Sequence, residues 1–171
     1  MNDDAAVNDK VFHVLFLSHR NSARSMMAEA VLNRIGKPHF VAYSAGTEPA
    51  EAIDPETKEL LEQTGFPVDG LHPKHYREFG LEGARDLDFV FTLNDEAAGE
   101  PMPEWPGVPV TAHWESSDPV LATGEPWERK QAFSRTMMEL DRRLKIFVNL
   151  PLKSLDRMSI QHHVDEIGKS T

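Results

Sequence analysis

The stretch VFHVLFLSHRNSARSMMAEAVLNRIG, Val11 to Gly36, decides how the rest of the chain is read. It opens with VFHVLFL (Val11–Leu17), a short and almost continuous apolar run. A strand buried on both faces of a parallel sheet has this composition. A polar loop, Ser18 to Ala23, comes next, and Arg24 to Ile35 is predicted to be a helix. Met27, Val31 and Ile35 recur there at i, i+4 and i+8, and Gly36 followed by Pro38 stops it. Strand, tight polar loop and helix N-terminus in succession make a place for an anion. Loop N–H groups converge there, and the helix dipole adds partial positive charge.

The loop itself is Ser18-His19-Arg20-Asn21-Ser22-Ala23-Arg24-Ser25. Arg24, in the first helical turn, can curl back and grip two oxygens of a tetrahedral oxyanion with its planar fork. Asn21 and Ser22 are small and polar, suited to holding such a loop in shape. The nucleotide pattern GxxxxGK[ST] is missing. On spacing alone, an ordinary strand–loop–helix joint with surface arginines explains the pattern equally well.

Outward from this stretch, strands and helices alternate. Phe40 to Ser44 suits a second strand. Asp54-Pro55-Glu56 is a good helix start, with a capping side chain, proline in the first turn and an acid near the positive dipole end. That helix runs to about Thr64, with Gly65 as its stop. Leu87 to Leu93 and Val108 to Trp114 are predicted as a third and fourth strand. Between them, residues 94–107 are rich in Pro, Gly and acid and suggest a mobile surface loop. A long helix is predicted from Pro126 to Val148, striped by Phe133, Met137, Leu140, Leu144 and Phe147. Ser154 is the expected cap of a last helix ending near Gly168. The pattern is that of an α/β domain with a parallel sheet and helices on both faces, over residues 11–171, preceded by a flexible tail over residues 1–10.

Composition narrows the function. The 171 residues suit one domain, and 40% hydrophobic with 27% charged residues is ordinary for a globular protein. A net charge of −10 disfavours nucleic acid or an anionic membrane as partner. No run approaches the roughly 18 apolar residues of a membrane-spanning helix. The polar, acidic start is unlike a signal peptide, so a cytoplasmic location is expected. The chain has no cysteine. That excludes disulfides, thiolate ligands, thiol relays and a cysteine nucleophile.

The segment VLFLSHRNSARSMMAEA resembles the signature of the low-molecular-weight tyrosine phosphatases and their thioredoxin-coupled arsenate-reductase relatives. The likeness continues through YSAGTEP, FVFTLNDEAAGE, WPGVPVTAHW with Asp118-Pro119 beyond it, and LPLKSLDRMSIQHHVDEIG. It spans about residues 11–168 and implies a flavodoxin-like fold, four parallel strands with helices on both sides. In the family a cysteine six residues before the arginine attacks phosphorus or arsenic. The arginine holds the equatorial oxygens, the serine after it steadies the thiolate, and the aspartate of Asp-Pro protonates the leaving group. The resemblance therefore assigns catalytic positions to Ser18, Arg24 and Asp118, and an oxyanion cradle to the loop from Ser18 to Ser25. It also places the resolving thiols of the reductases at Asn94 and Met102. Three missing thiols, with His19-Arg20 in place of small residues, suggest natural divergence; a single cysteine-to-serine form of an active enzyme is the alternative.

Ser18 is a weak nucleophile without an adjacent base. His19 is the one nearby candidate, but neighbours on a tight loop usually point apart, and a static or phosphate-contacting role suits it better. His72 with His75, and His162-His163, are more readily surface or packing residues than metal ligands. Trp105, Trp114 and Trp127 suit either the mouth of a phosphotyrosine pocket or ordinary packing. Three functions are expected to compete. The first is binding of phosphate, arsenate or a phosphorylated partner without turnover. The second is slow phosphomonoester hydrolysis through Ser18 or a loop-bound water with Asp118 as acid. The third is a protein-interaction module or homodimer, its contacts carried by residues 94–107 and the last helix. No cofactor or metal is expected.

Overall fold

Alternate residues of the first strand face opposite ways, and both sets are buried. Val14 and Phe16 enter one apolar cluster while Leu15 and Leu17 enter another. This strand therefore sits inside a sheet covered on both sides. The computed structural model of the protein describes residues 10–170. The tail expected over residues 1–10 lies outside them except for Lys10, whose ammonium pairs with Asp88 at 3.1 Å.

Four strands form the sheet: β1 (Phe12–Ser18), β2 (Phe40–Gly46), β3 (Phe89–Thr92) and β4 (Val110–His113). Their order is β2-β1-β3-β4 and every pairing is parallel, with Val14 opposite both Ala42 and Phe89. The longer helices are α1 (Arg24–Ile35), α2 (Pro55–Gln63), α4 (Pro126–Val148) and α5 (Arg157–Lys169). They share the larger cluster with one sheet face, through Met27, Val31, Leu61, Phe133, Leu140, Leu144, Phe147 and Val164. The opposite face is covered by the 3₁₀ turn Tyr76–Gly80, the short helix α3 (Asp95–Ala98) and the chain up to Trp105. This is the flavodoxin-like α/β architecture with helical elements on both faces.

Helix ends follow the sequence closely. Asp54 accepts from the Glu56 and Thr57 N–H groups with Pro55 behind it, and Glu125 and Glu128 close a capping box at α4. The last helix departs from expectation. Ser154 ends a 3₁₀ turn (Leu152–Ser154), and Asp156 caps α5 by accepting from the Ser159 N–H at 2.8 Å.

Residues 94–107 also differ from the mobile loop expected. Asn94 Oδ1 accepts from the Ala97 N–H, the Tyr76 hydroxyl donates to the Pro101 carbonyl at 3.2 Å, and Ala97 and Trp105 are buried. An uncovered sheet face requires such a lid, and these spaced apolar residues supply it. Trp114 is core: it stacks on Phe91 at 4.1 Å and donates its indole N–H to the Val164 carbonyl. Trp127 is exposed. Fully burying a large apolar side chain contributes about 1.5–3 kcal/mol, so the Phe16–Phe91–Trp114–Phe147 cluster anchors α4 and α5 to the sheet.

Candidate functional site

The site lies at the carboxyl end of β1, where open parallel sheets bind ligands. Ser18 closes the strand and Arg24 opens α1. The loop between them is fastened by main chain. The N–H groups of Thr47, Glu48 and Ala50 donate to the carbonyls of Ser18, His19 and Arg20 at 3.2, 2.8 and 2.9 Å, and Asp54 N–H donates to Ser22 at 3.0 Å. Gly46 permits this approach: a Cβ there would stand 2.9 Å from both Asn21 Cβ and the His19 carbonyl. At the helix end, Ala23 offers no side-chain cap and the first turn holds no acid. The positive end of α1 is therefore not neutralised from within the helix itself.

Asn21 sits at φ 50°, the left-handed region that asparagine tolerates better than most residues. A backbone N–H can only donate, so the Lys74 N–H fixes Asn21 Oδ1 as its acceptor at 2.9 Å. The Asn21 amide then donates to Ser25 Oγ at 2.7 Å, and Ser25 Oγ lies 2.7 Å from Ser18 Oγ. All three side chains are buried. Ser22 and Ala23 complete the turn, Ala23 giving its carbonyl to the Met27 N–H at 2.9 Å.

Lys74 supports the loop from below. Its ammonium donates to the carbonyls of Ser44 and His72 at 3.1 and 2.8 Å. Burial holds its pKa below the ordinary lysine value, opposed by Glu29 and Glu78. The Ser44 hydroxyl donates to Glu29 at 2.5 Å. Burial raises the Glu29 carboxyl pKa, opposed by that hydrogen bond and by Lys74.

Arg24 is nine-tenths buried and reaches far along the chain. Its Nη1 donates to the Ser116 carbonyl at 3.1 Å, and its Nη2 stands 3.3 Å from Asp118 Oδ2. Asp118 Oδ1 accepts from the Val120 N–H at 3.0 Å. The structure thus brings together Ser18, Asn21, Ser25, Arg24 and Asp118.

The other two candidate side chains are engaged elsewhere. His19 Nδ1 meets Thr47 Oγ1 at 3.0 Å and its Nε2 meets Glu48 at 3.4 Å. Arg20, exposed, donates to the Glu48 carbonyl at 3.0 Å. What these two bring to the loop is therefore main chain. Asn94 and Met102, expected where the reductases keep thiols, are a helix cap and a packing residue.

Sequence reasoning missed Lys74 and Ser116. Both act at the loop through main-chain atoms, which leave no side-chain signature. It also missed His113, which lies against Asp95 and Glu115 at 3.3 and 2.9 Å in an exposed ion-pair cluster. The histidines weighed as metal ligands stand apart: His75 caps the 3₁₀ turn, His72 turns to the Gly70 carbonyl, and His162 and His163 lie edge-on to each other.

An α/β domain whose first strand feeds a closed polar loop and a helix starting on arginine defines the class. The chain belongs to the low molecular weight phosphotyrosine protein phosphatase family, whose model matches residues 13–160. It is 30% identical over 139 residues to an arsenate reductase of Shouchella clausii (strain KSM-K16), covering 78% of this chain and 93% of that protein. It is 31% identical over 134 residues to one from Bacillus subtilis (strain 168), with the same coverage of 78% and 93%. Among solved structures, arsenate reductase from Archaeoglobus fulgidus DSM 4304 matches with a TM-score of 0.64 at 29% identity, over 80% of this chain and 99% of that one. A low molecular weight protein tyrosine phosphatase from T. tengcongensis shares the fold, with a TM-score of 0.61 at 22% identity over 78% and 95% of the two chains. Among the described residues no helix is long and apolar enough to cross a membrane.

Proposed function

We propose that the protein binds a tetrahedral oxyanion, phosphate, arsenate or a phosphoryl group, in the loop from Ser18 to Ser25, without covalent turnover. The observation that carries this reading is the buried Arg24 guanidinium, held by Ser116 and Asp118 beside an uncapped helix N-terminus. The relatives named arsenate reductases favour arsenate among the anions. Ser18 Oγ and Ser25 Oγ share a 2.7 Å hydrogen bond in which either can donate, while Ser25 Oγ also accepts from Asn21. In the arrangement where Ser25 donates, the Ser18 hydroxyl donates to the anion and acts as a binding group.

Turnover through Ser18 is disfavoured by the surroundings. A serine hydroxyl needs a base within hydrogen-bond reach. Among the described residues, the partner of Ser18 Oγ is Ser25, and both nitrogens of His19 are committed to Thr47 and Glu48. Calorimetry with phosphate and arsenate tests the binding. Arg24→Ala is expected to weaken it by about tenfold to a hundredfold, since each hydrogen bond to a charged group contributes about 1.5–3 kcal/mol. Heatless titrations of the wild type, or equal affinity in the variant, would refute the reading. Release of p-nitrophenol from p-nitrophenyl phosphate, abolished in Ser18→Ala, would instead establish a slow hydrolase.

A further inference from the structure

The groups that would meet an anion at the start of α1 are hydrogen-bond donors: the N–H groups of its uncapped first turn and the Arg24 fork. Asp118 is the exception. Its Oδ1 is occupied by the Val120 N–H at 3.0 Å, and its Oδ2 lies 3.3 Å from Arg24 Nη2. The guanidinium that would grip an anion thus carries a carboxylate oxygen at its edge. An oxyanion seated on Arg24 brings one of its own oxygens towards that carboxylate. Two bare anionic oxygens repel at such a place, whereas a P–OH or As–OH donates a hydrogen bond.

Resting on the reading of the loop as an oxyanion site, we infer that Asp118 selects oxyanions that keep a proton. Hydrogen phosphate and hydrogen arsenate are taken; sulfate is turned away. At neutral pH phosphate and arsenate retain a proton, and sulfate has none. The four oxygens and the tetrahedral shape are shared, so a cradle of donors alone could not separate these anions. The single acceptor can, because a site rejects a ligand that leaves a polar group of the site facing a like charge. Asp118 is partly open, with 25% of its side chain exposed, so water screens part of the repulsion and the discrimination is finite.

Calorimetry at neutral pH and constant ionic strength decides this, with phosphate, arsenate and sulfate as probes. The wild type is expected to bind phosphate and arsenate at least about tenfold more tightly than sulfate, in line with one charge-assisted hydrogen bond. Asp118→Asn is nearly isosteric. Its Oδ1 can still accept from Val120, while an amide donor replaces Oδ2. In this variant sulfate should gain and the gap should shrink to about threefold or less. Sulfate within about twofold of phosphate in the wild type, or a gap unchanged in Asp118→Asn, overturns the inference while leaving the loop as an anion site. Should the variant not fold, the wild-type ratio decides alone. No binding of any probe, or no loss in Arg24→Ala, removes the loop reading and this inference with it.

Discussion

Asn21 concentrates the logic of the loop in one side chain. It accepts from Lys74, donates to Ser25 and occupies a left-handed backbone conformation. Asn21→Ala loses both hydrogen bonds and adds backbone strain, and is expected to cost about 2–4 kcal/mol in urea denaturation. Asn21→Gly keeps the backbone at ease and should recover about 1 kcal/mol of that loss. Equal stability of the two variants would show that the bonds, not the conformation, matter. Glu29 titrates in the support below. Burial raises its pKa above the ordinary 4.5, so the native state holds a proton that the unfolded chain has released. Stability therefore falls as pH rises from 4.5 through the raised value. Glu29→Gln lacks this titration, and its urea midpoint relative to wild type should rise over the same window. Parallel profiles would refute the coupling. Of these residues, Asn21 was legible in sequence because its type suits a tight turn, whereas Glu29 and Lys74 look like ordinary helix and loop charges.

Elements were legible where a repeat ran long enough between clear caps. α4 begins and ends where its apolar stripe and Pro126 place it, because five spaced apolar residues and a capping box agree. α5 was misplaced at its start, since a 3₁₀ turn separates Ser154 from the Asp156 cap. The cover on the second sheet face was misread because Pro, Gly and acids outnumber its few anchoring apolar residues. Two predictions belong to this region. Asn94→Ala removes the α3 cap and is expected to cost about 1 kcal/mol by chemical denaturation. Val108 is exposed with φ at 47°, where a β-branched residue is strained. Val108→Gly should therefore stabilise the protein by about 1 kcal/mol, raising its melting temperature. A lower melting temperature would mean that the strand entry needs the side chain.

Across the whole molecule, the contiguous half of the site was legible and the distant half was not. Ser18 to Ser25 lie together in sequence, but Lys74 meets Asn21 across 53 positions and Ser116 meets Arg24 across 92. Such pairings follow from strand order, which local periodicity does not encode; the family resemblance alone pointed to Asp118. Arg143 shows how remote parts brace the site. Buried in α4, it donates to the carbonyls of Glu115, Gly168 and Ser170, next to the Ser116 carbonyl that receives Arg24. Arg143→Met is expected to lower stability by about 2–4 kcal/mol, read by denaturation, because those carbonyls lose their donor. The loop, in contrast, is fastened by main-chain bonds from Thr47, Glu48, Ala50 and Asp54, none of which involves the side chain of residue 18. The main-chain course of the loop therefore does not rest on the atom at the tip of residue 18, and serine or cysteine there would meet the same frame.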